Sequence, residues 1–147
     1  MSEKRISAEL RRLVTERAAN HCEYCYAQMQ FSSDSFTVDH ITPRILGGPT
    51  TVENLALSCY GCNQHKSTRT VAHDPVTGLL VALFHPRQQR WTEHFAWSDD
   101  FTSLLGVTPT GRATIAALHL NRPGLVNLRR ALYAIGEHPL RPADKET

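Results

Sequence analysis

The chain has 147 residues and a formal net charge of +2, so it fits one domain with an appended subdomain, and its charge alone does not indicate a nucleic-acid partner. No stretch approaches the roughly 18 consecutive apolar residues of a membrane span. The first residues are charged and lack the apolar core of a signal peptide, which predicts a cytoplasmic protein with no membrane partner.

The first predicted element is a helix that follows Ser7. Serine is a good N-cap, because its side chain can accept a hydrogen bond from a free backbone N–H of the first turn. Leu10, Leu13 and Val14 recur at helical spacing after it. We expect this helix to end near Asn20, just before the first cysteine.

Two short strand candidates come next. Residues 31–36 have the composition of a loop, and residues 36–43 favour a short strand that ends at a proline. A glycine-rich turn is predicted over residues 46–49. Residues 53–57 are consistent with a second strand, or with a turn that leads to the next cysteine.

The second half of the chain predicts further short elements. A β-turn is expected over residues 74–78, followed by a strand candidate over residues 79–84. Two helices are predicted near the end of the chain. One is expected to be capped by Thr110, and the other to begin at Pro123 and to stop at Gly136.

Two features of this second half are compatible with nucleic-acid binding, although each also has a structural interpretation. Five arginines near the C-terminus would form either a basic face or an ordinary solvated helix surface. Trp91 stands among arginines, which suits stacking on bases, but tryptophans are more often core anchors. The five arginines are Arg112, Arg122, Arg129, Arg130 and Arg141.

All four cysteines fall into two matched pairs, Cys22-x-x-Cys25 and Cys59-x-x-Cys62. Disulfides are rare in a reducing compartment, so paired cysteines there indicate a metal site. Zinc prefers four soft ligands in a tetrahedron, which two such pairs provide with little strain. Four thiolates leave no open coordination position, so we predict a structural zinc ion; the alternatives are unmetallated thiols or a redox pair.

The stretch between the cysteine pairs, together with the residues just after the second pair, contains the residue types that phosphodiester hydrolysis needs. Asp39 offers a hard oxygen ligand for a divalent metal, and His40 is a base with a pKa near neutrality. Asn54 and Asn63 carry amides that can orient an imidazole or give an oxygen to a metal. A base activates water, and a metal stabilises the charge that develops on the phosphate.

The order of these residues resembles the HNH endonucleases. The matching pattern covers residues 18–66 and consists of C-x-x-C, a strand with D-H-I-x-P, then G-G, N-L, and C-x-x-C-N with a lysine. Members of this family have a ββα-metal (His-Me finger) core with a treble-clef-like zinc variant. The resemblance implies that His40 is the general base and that Asp39 binds a catalytic Mg²⁺ or Mn²⁺ ion. It also implies that Asn54 braces the loop and orients the histidine, and that Asn63 is the second metal ligand.

The last motif position has a second candidate, His65. Residues two apart on a helix point in clearly different directions, so we do not expect both to serve together. We favour Asn63. Three basic residues near the motif are candidates to hold the nucleic-acid backbone: Arg44, Lys66 and Arg69.

Together these patterns predict an α+β protein with a zinc-stabilised ββα-metal core. Residues 1–70 would form the N-terminal helix and the nuclease core, and residues 71–147 a strand-and-helix extension packed on it. The predicted function is metal-dependent hydrolysis of DNA. The alternatives are a zinc-held DNA-binding module without hydrolysis and a purely structural zinc domain. A base beside a hard-metal ligand favours the enzyme, because a scaffold has no physical need for that combination.

Overall fold

The computed structural model describes residues 6–140 of the chain, which form α-helices and three two-stranded antiparallel sheets. The described helices are α1 (Ala8–Arg17), α2 (Tyr60–Lys66), α3 (Pro109–Leu118) and α4 (Pro123–Ala134). The described strands are β1 (Thr37–His40), β2 (Leu55–Ser58), β3 (Val71–His73), β4 (Leu80–Ala82), β5 (Phe95–Trp97) and β6 (Leu104–Gly106). Helices mixed with small antiparallel sheets confirm the α+β class.

Helix α1 begins as the sequence predicts and packs on the first hairpin. The Ser7 hydroxyl accepts a hydrogen bond from the backbone N–H of Leu10 at 3.1 Å. Val14 is fully buried, in an apolar cluster that includes residues of both strands of the hairpin. At the end of the helix the Arg17 guanidinium donates to the carbonyls of Val52 (2.9 Å) and Leu55 (2.6 Å). These contacts fix α1 against one face of the hairpin.

The hairpin of β1 and β2 has two buried faces. Its register pairs Asp39 with Ala56 and His40 with Leu55. Because side chains alternate along a strand, Val38 and Leu55 pack in the cluster under α1, whereas Ala56 packs in the main apolar cluster together with the cysteines. The hairpin thus lies between α1 on one side and the cysteines on the other.

The second half of the chain shares the main core with the first. The principal apolar cluster joins Cys22 and Ala56 to Phe84, Trp91 and Leu118. Trp91 is buried, and its indole N–H donates to the Tyr24 carbonyl at 2.9 Å. The extension therefore packs on the segment that contains the cysteines, and this tryptophan serves as a core anchor. The boundary at residue 70 stays a prediction.

One expectation for the second half is wrong, and one element of it was not expected. Helix α3 is capped by Thr108 instead of Thr110, because Pro109 occupies the first helical position and the Thr108 hydroxyl accepts from the Gly111 N–H at 3.0 Å. Thr110 lies inside the first turn, where its hydroxyl donates to the Ala82 carbonyl. The β5–β6 hairpin was not predicted, since its strands are only three residues long.

The remaining local predictions in the extension are confirmed. Gly78 adopts a φ of +77° in the turn between β3 and β4, Pro123 opens α4, and Gly136 has a φ of +78° just beyond its end. Among residues 6–140 no helix is long and apolar enough to cross a membrane.

Candidate metal and catalytic site

The four cysteine side chains converge on one buried point. Their sulfur atoms all lie within 4.8 Å of one another, and Cys25 Sγ is 3.7 Å from Cys59 Sγ. Zinc–sulfur bonds of about 2.3 Å place neighbouring ligands of a tetrahedron about 3.8 Å apart, which is close to this separation. The geometry and the soft donor set therefore fit zinc.

Local backbone geometry builds each half of this cluster. The N–H of Cys25 donates to Cys22 Sγ at 3.5 Å, and the N–H of Cys62 donates to Cys59 Sγ at 3.4 Å. Cys59 is also the N-cap residue of α2, so the second pair lies across the start of that helix. The first pair thus presents its sulfurs from a turn, and the second pair presents them from the first turn of α2.

The thiols of the cluster affect one another's ionisation. Burial raises the pKa of the Cys22 thiol, whereas hydrogen bonds from the neighbouring thiols, with that from Cys22 the largest, hold the pKa of Cys59 far below its usual range. Four thiolates together require a bound cation to balance their charge.

Asp39 lies in the interior beside a lysine. Its Oδ2 accepts a hydrogen bond from the Tyr24 hydroxyl at 2.9 Å and is 3.2 Å from Lys66 Nζ. Burial raises the pKa of Asp39, although Lys66 and Tyr24 oppose this effect. The Lys66 ammonium, on a side chain only 2% exposed, also donates to the carbonyls of Ile41 (3.1 Å) and His40 (3.4 Å). The lysine thereby fastens α2 to the end of β1.

The basic residues expected to hold a nucleic-acid backbone occupy three different environments. Lys66 is buried, and within the described residues its ammonium contacts Asp39 and backbone carbonyls of the protein, so it does not face solvent. The Arg69 side chain is exposed, and its guanidinium donates to the carbonyls of Ala117 (2.8 Å) and His65. Arg44 is exposed in the short 3₁₀ turn after β1. Arg44 and Arg69 are thus the candidates that solvent reaches.

His40 ends β1 with a half-buried ring. Its Nε2 lies 2.8 Å from the Thr50 hydroxyl oxygen, which is hydrogen-bond distance. Burial lowers the pKa of His40, and the nearby charges of Arg44 and Lys66 lower it further, against the opposing effect of Asp39. The imidazole is consequently neutral near pH 7, the protonation state that a general base needs.

Asn54 braces the loop that joins β1 to β2. Its Oδ1 accepts from the Thr42 N–H at 2.9 Å, and its Nδ2 donates to the carbonyls of Thr42 (3.0 Å) and Pro49 (2.8 Å). Gly48 is required at this crossing, since a Cβ there would lie 1.7 Å from the Thr42 oxygen. Within the described part of the chain these amide contacts are with loop backbone, so any influence of Asn54 on the His40 ring passes through the loop that carries Thr50.

The two candidates for the last motif position lie in different surroundings. Asn63 is half-buried on α2, one turn before Lys66, and between residues 6 and 140 its side chain makes no hydrogen bond. The His65 ring packs against the His119 ring, with centroids 4.2 Å apart. His65 therefore faces the end of α3, whereas Lys66 faces β1.

Two residues at this site carried no signal in the sequence. Tyr24 is an unspecified residue inside the first C-x-x-C pair, and Thr50 follows the G-G turn at a position that the motif leaves unspecified. Neither position has a residue-type requirement that spacing reveals. Their roles as hydrogen-bond partners of Asp39 and His40 become visible only in three dimensions.

Comparison with known proteins agrees with the motif. Residues 22–69 match the family model described as HNH endonuclease, which is less than half of the 147 residues. No curated protein and no solved structure gives a significant match to the chain. The HNH resemblance is therefore confirmed for the segment that contains both cysteine pairs, the hairpin and α2.

Proposed function

We propose that this chain is a metal-dependent endonuclease that hydrolyses phosphodiester bonds of DNA, with His40 as the general base. The observation that carries the proposal is the position of His40, inside the segment that matches the HNH family, with its Nε2 beside the Thr50 hydroxyl. With the ring proton on Nε2 and donated to Thr50, the Nδ1 lone pair takes a proton from water. The lowered pKa of His40 keeps the ring in this neutral form at physiological pH.

Asp39 and Asn63 are the proposed ligands of a divalent cation, Mg²⁺ or Mn²⁺. They lie on β1 and α2, two elements that contact each other. Tyr24 and Lys66 contact only Oδ2 of Asp39, and within residues 6–140 neither Asp39 Oδ1 nor the Asn63 side chain has a hydrogen bond. Hard oxygen donors of this kind are what Mg²⁺ prefers. When bound, the cation supplies charge stabilisation for the phosphate and its leaving oxygen.

The other motif residues keep this arrangement in place. Lys66 holds Asp39 and the carbonyls of His40 and Ile41, so the end of β1 cannot move independently of α2. Asn54 keeps the loop closed and so keeps Thr50 in reach of the His40 ring. In this proposal the exposed cations Arg44 and Arg69 contact the DNA backbone, while Lys66 acts from inside as a positioning residue.

Plasmid relaxation with Mg²⁺, Mn²⁺ or EDTA tests the proposal. General-base catalysis contributes about 10²–10⁴-fold to a rate, so we expect a His40→Ala variant with wild-type zinc content to lose at least about 100-fold in nicking. His73→Ala is the matched control, because His73 is an exposed histidine on β3. Nicking by the His40→Ala protein at the wild-type rate would exclude this mechanism.

The pH dependence of nicking provides a second readout. The folded pKa of His40 is lowered, so the neutral base persists to a pH below the usual histidine value of about 6.5. We expect the rate to rise with pH below about 6.5 and then to level off. A rate that is still rising steeply above pH 8 would indicate a different base.

One observation favours the alternative of a zinc-held DNA-binding module. The Asp39 carboxylate is buried and already paired with the Lys66 ammonium, so its charge is balanced without a divalent cation. This alternative predicts that DNA binding weakens as salt rises and that no metal produces cleavage. A DNA-binding titration at several salt concentrations, run beside the nicking assay, separates the two functions.

A further inference from the structure

Arg122 reaches the cysteine cluster from the extension, outside the segment that matches the HNH family. It lies immediately before α4, and its Nη2 donates to Cys59 Sγ at 3.4 Å. Both Nη atoms also approach Cys62 Sγ, at 3.7 and 3.8 Å. Nη1 donates in addition to the carbonyls of Leu118 (3.2 Å) and His119 (3.1 Å), which fixes the guanidinium in place.

The second cysteine pair has room for this guanidinium because it contains a glycine. A Cβ on Gly61 would lie 2.5 Å from Arg122 Nη2 and 2.8 Å from its Cζ. Gly61 stands between Cys59 and Cys62, and Arg122 follows 60 residues after Cys62. Gly61 and Arg122 are distant in the sequence, yet the missing side chain of the glycine leaves the space that the guanidinium occupies beside the cluster.

The charge of a zinc site explains why a cation would lie there. Zinc with four thiolates carries a net charge of −2, and an uncompensated charge in the interior is strongly unfavourable. Hydrogen bonds from a cation to an anionic acceptor are among the stronger hydrogen bonds in proteins. Groups that hydrogen-bond to metal ligands keep those ligands correctly oriented. The buried Arg129 guanidinium instead donates to carbonyls and to an asparagine oxygen.

We propose that Arg122 is a component of the zinc site: it offsets the charge of the zinc–tetrathiolate group and donates N–H bonds to the sulfurs of Cys59 and Cys62. The extension would then help the HNH-matching segment to retain its metal. The inference depends on zinc binding by the four cysteines and is independent of whether His40 acts as a base.

The experiment measures zinc affinity of the full chain by competition with a chromogenic chelator. We expect Arg122→Gln to bind zinc about 10–100-fold more weakly, the range typical of losing a partner that orients metal ligands. The zinc affinity of Arg122→Lys should lie between those of wild type and Arg122→Gln, because lysine keeps the positive charge but lacks the planar guanidinium. Arg130→Gln is the control, since that guanidinium is exposed and, among residues 6–140, bonds only Asn127. The zinc affinity of this variant should therefore equal that of wild type.

A spectroscopic readout separates this role from simple support of the fold. In protein loaded with Co²⁺ in place of zinc, sulfur-to-metal charge-transfer bands report on hydrogen bonds to the thiolates. Loss of the Arg122 donors should move these bands to longer wavelength in Arg122→Gln. Support of the fold alone would lower the melting temperature without moving the bands.

Gly61→Ala provides the second variant, should Arg122→Gln fail to fold. The added Cβ displaces the guanidinium while Arg122 itself is unchanged, so zinc affinity and the charge-transfer bands should shift in the same direction. Wild-type zinc affinity and wild-type bands in either variant would overturn the proposal. Absence of zinc from purified, folded wild-type protein would also overturn it, whereas the proposed function is tested separately, by nicking that depends on His40.

Discussion

Residues 22–69 and the extension after residue 70 use buried polar side chains in different ways. In the HNH-matching segment, Asp39 and Lys66 meet at the end of β1, and within residues 6–140 the second carboxylate oxygen of Asp39 and the side chain of Asn63 have no hydrogen bond. In the extension, the Asp74 carboxylate forms two hydrogen bonds with the Arg112 guanidinium, both at 2.9 Å. Both regions bury a charge pair, but only the first does so beside a candidate base.

The same contrast applies to the arginines that composition allows as a basic face. Arg112 pairs with Asp74, Arg122 contacts the cysteines, and Arg129 donates to buried carbonyls. Arg130 is exposed, and Arg141 lies outside the described residues. The first three guanidinium groups are buried or half-buried and bonded to protein acceptors, so they are less available to a phosphate than the exposed Arg44 and Arg69. The extension is therefore better described as a support for the HNH-matching segment than as a basic face.

Removal of the metal should have the largest effect. It should unfold both regions together, because they share the core around the cysteines. Structural zinc contributes about 10–16 kcal/mol in small zinc domains, comparable with the total stability of about 5–15 kcal/mol of a typical domain. We expect excess chelator or Cys62→Ser to eliminate cooperative thermal unfolding. Circular dichroism and the fluorescence of Trp91, which stacks on Tyr26 with centroids 3.9 Å apart, measure this. A cooperative melt at the wild-type temperature in zinc-free protein would contradict the prediction.

The Asp39–Lys66 pair should show the next largest effect. Removal of one partner of a buried ion pair leaves an unpaired charge and destabilises a protein by about 3–5 kcal/mol. We expect Lys66→Met to lower the free energy of unfolding in urea by that amount. The double variant Lys66→Met with Asp39→Asn should recover much of the loss, since neither charge remains. Additive losses in the double variant would show that the two charges do not interact.

Much of the metal-binding segment can be predicted from the sequence because its chemistry requires particular residues at particular spacings. Two C-x-x-C pairs identify four candidate ligands, whatever the fold of the residues between the pairs. Short-range signals were equally informative: the Ser7 cap and the turn glycine Gly78 depend on residues only a few positions away. These features need no knowledge of which elements pack together.

What could not be predicted depends on packing between distant residues. The inward direction of Lys66 follows from the face of α2 that contacts β1, which no spacing reveals. Arg122 meets the cysteines because α3 packs against α2 and Arg122 follows the end of α3. Thr108 displaces Thr110 as the cap because Pro109 favours the first helical position, a local rule that a serine-or-threonine search alone overlooks.

Two asparagine amides, the buried Asn54 and the half-buried Asn121, offer a matched test of the two regions. Asn54 makes three hydrogen bonds to the loop beside His40, and Asn121 bonds both the N–H and the carbonyl of Leu104 in the extension. Either substitution by alanine leaves buried backbone groups unpaired, so each should lower the free energy of unfolding by about 1–3 kcal/mol.

Only Asn54→Ala should also slow nicking, because its loop carries Thr50, the partner of His40. Denaturant unfolding and plasmid relaxation on the same two proteins make the measurement. Equal loss of nicking in zinc-loaded, folded Asn121→Ala would show that the two regions do not differ in this respect.

The smallest effect concerns acid and the extension. Hydrogen bonds from Arg112 hold the pKa of Asp74 well below its usual value of 3.8. A carboxyl group whose folded pKa is depressed contributes its stability above the unfolded pKa and loses it as pH falls towards the folded value. The contribution of Asp74 is thus present at pH 5 and declines below about pH 4.

We expect Asp74→Asn to flatten the fall of the unfolding free energy between pH 4 and pH 2.5. Asp99→Asn, at an exposed position, should keep the wild-type slope, and zinc content is measured at each pH so that only zinc-loaded samples of the three proteins are compared. Identical slopes in wild type and Asp74→Asn would place the acid sensitivity in the metal-binding segment instead, so this one titration decides which region responds first to acid.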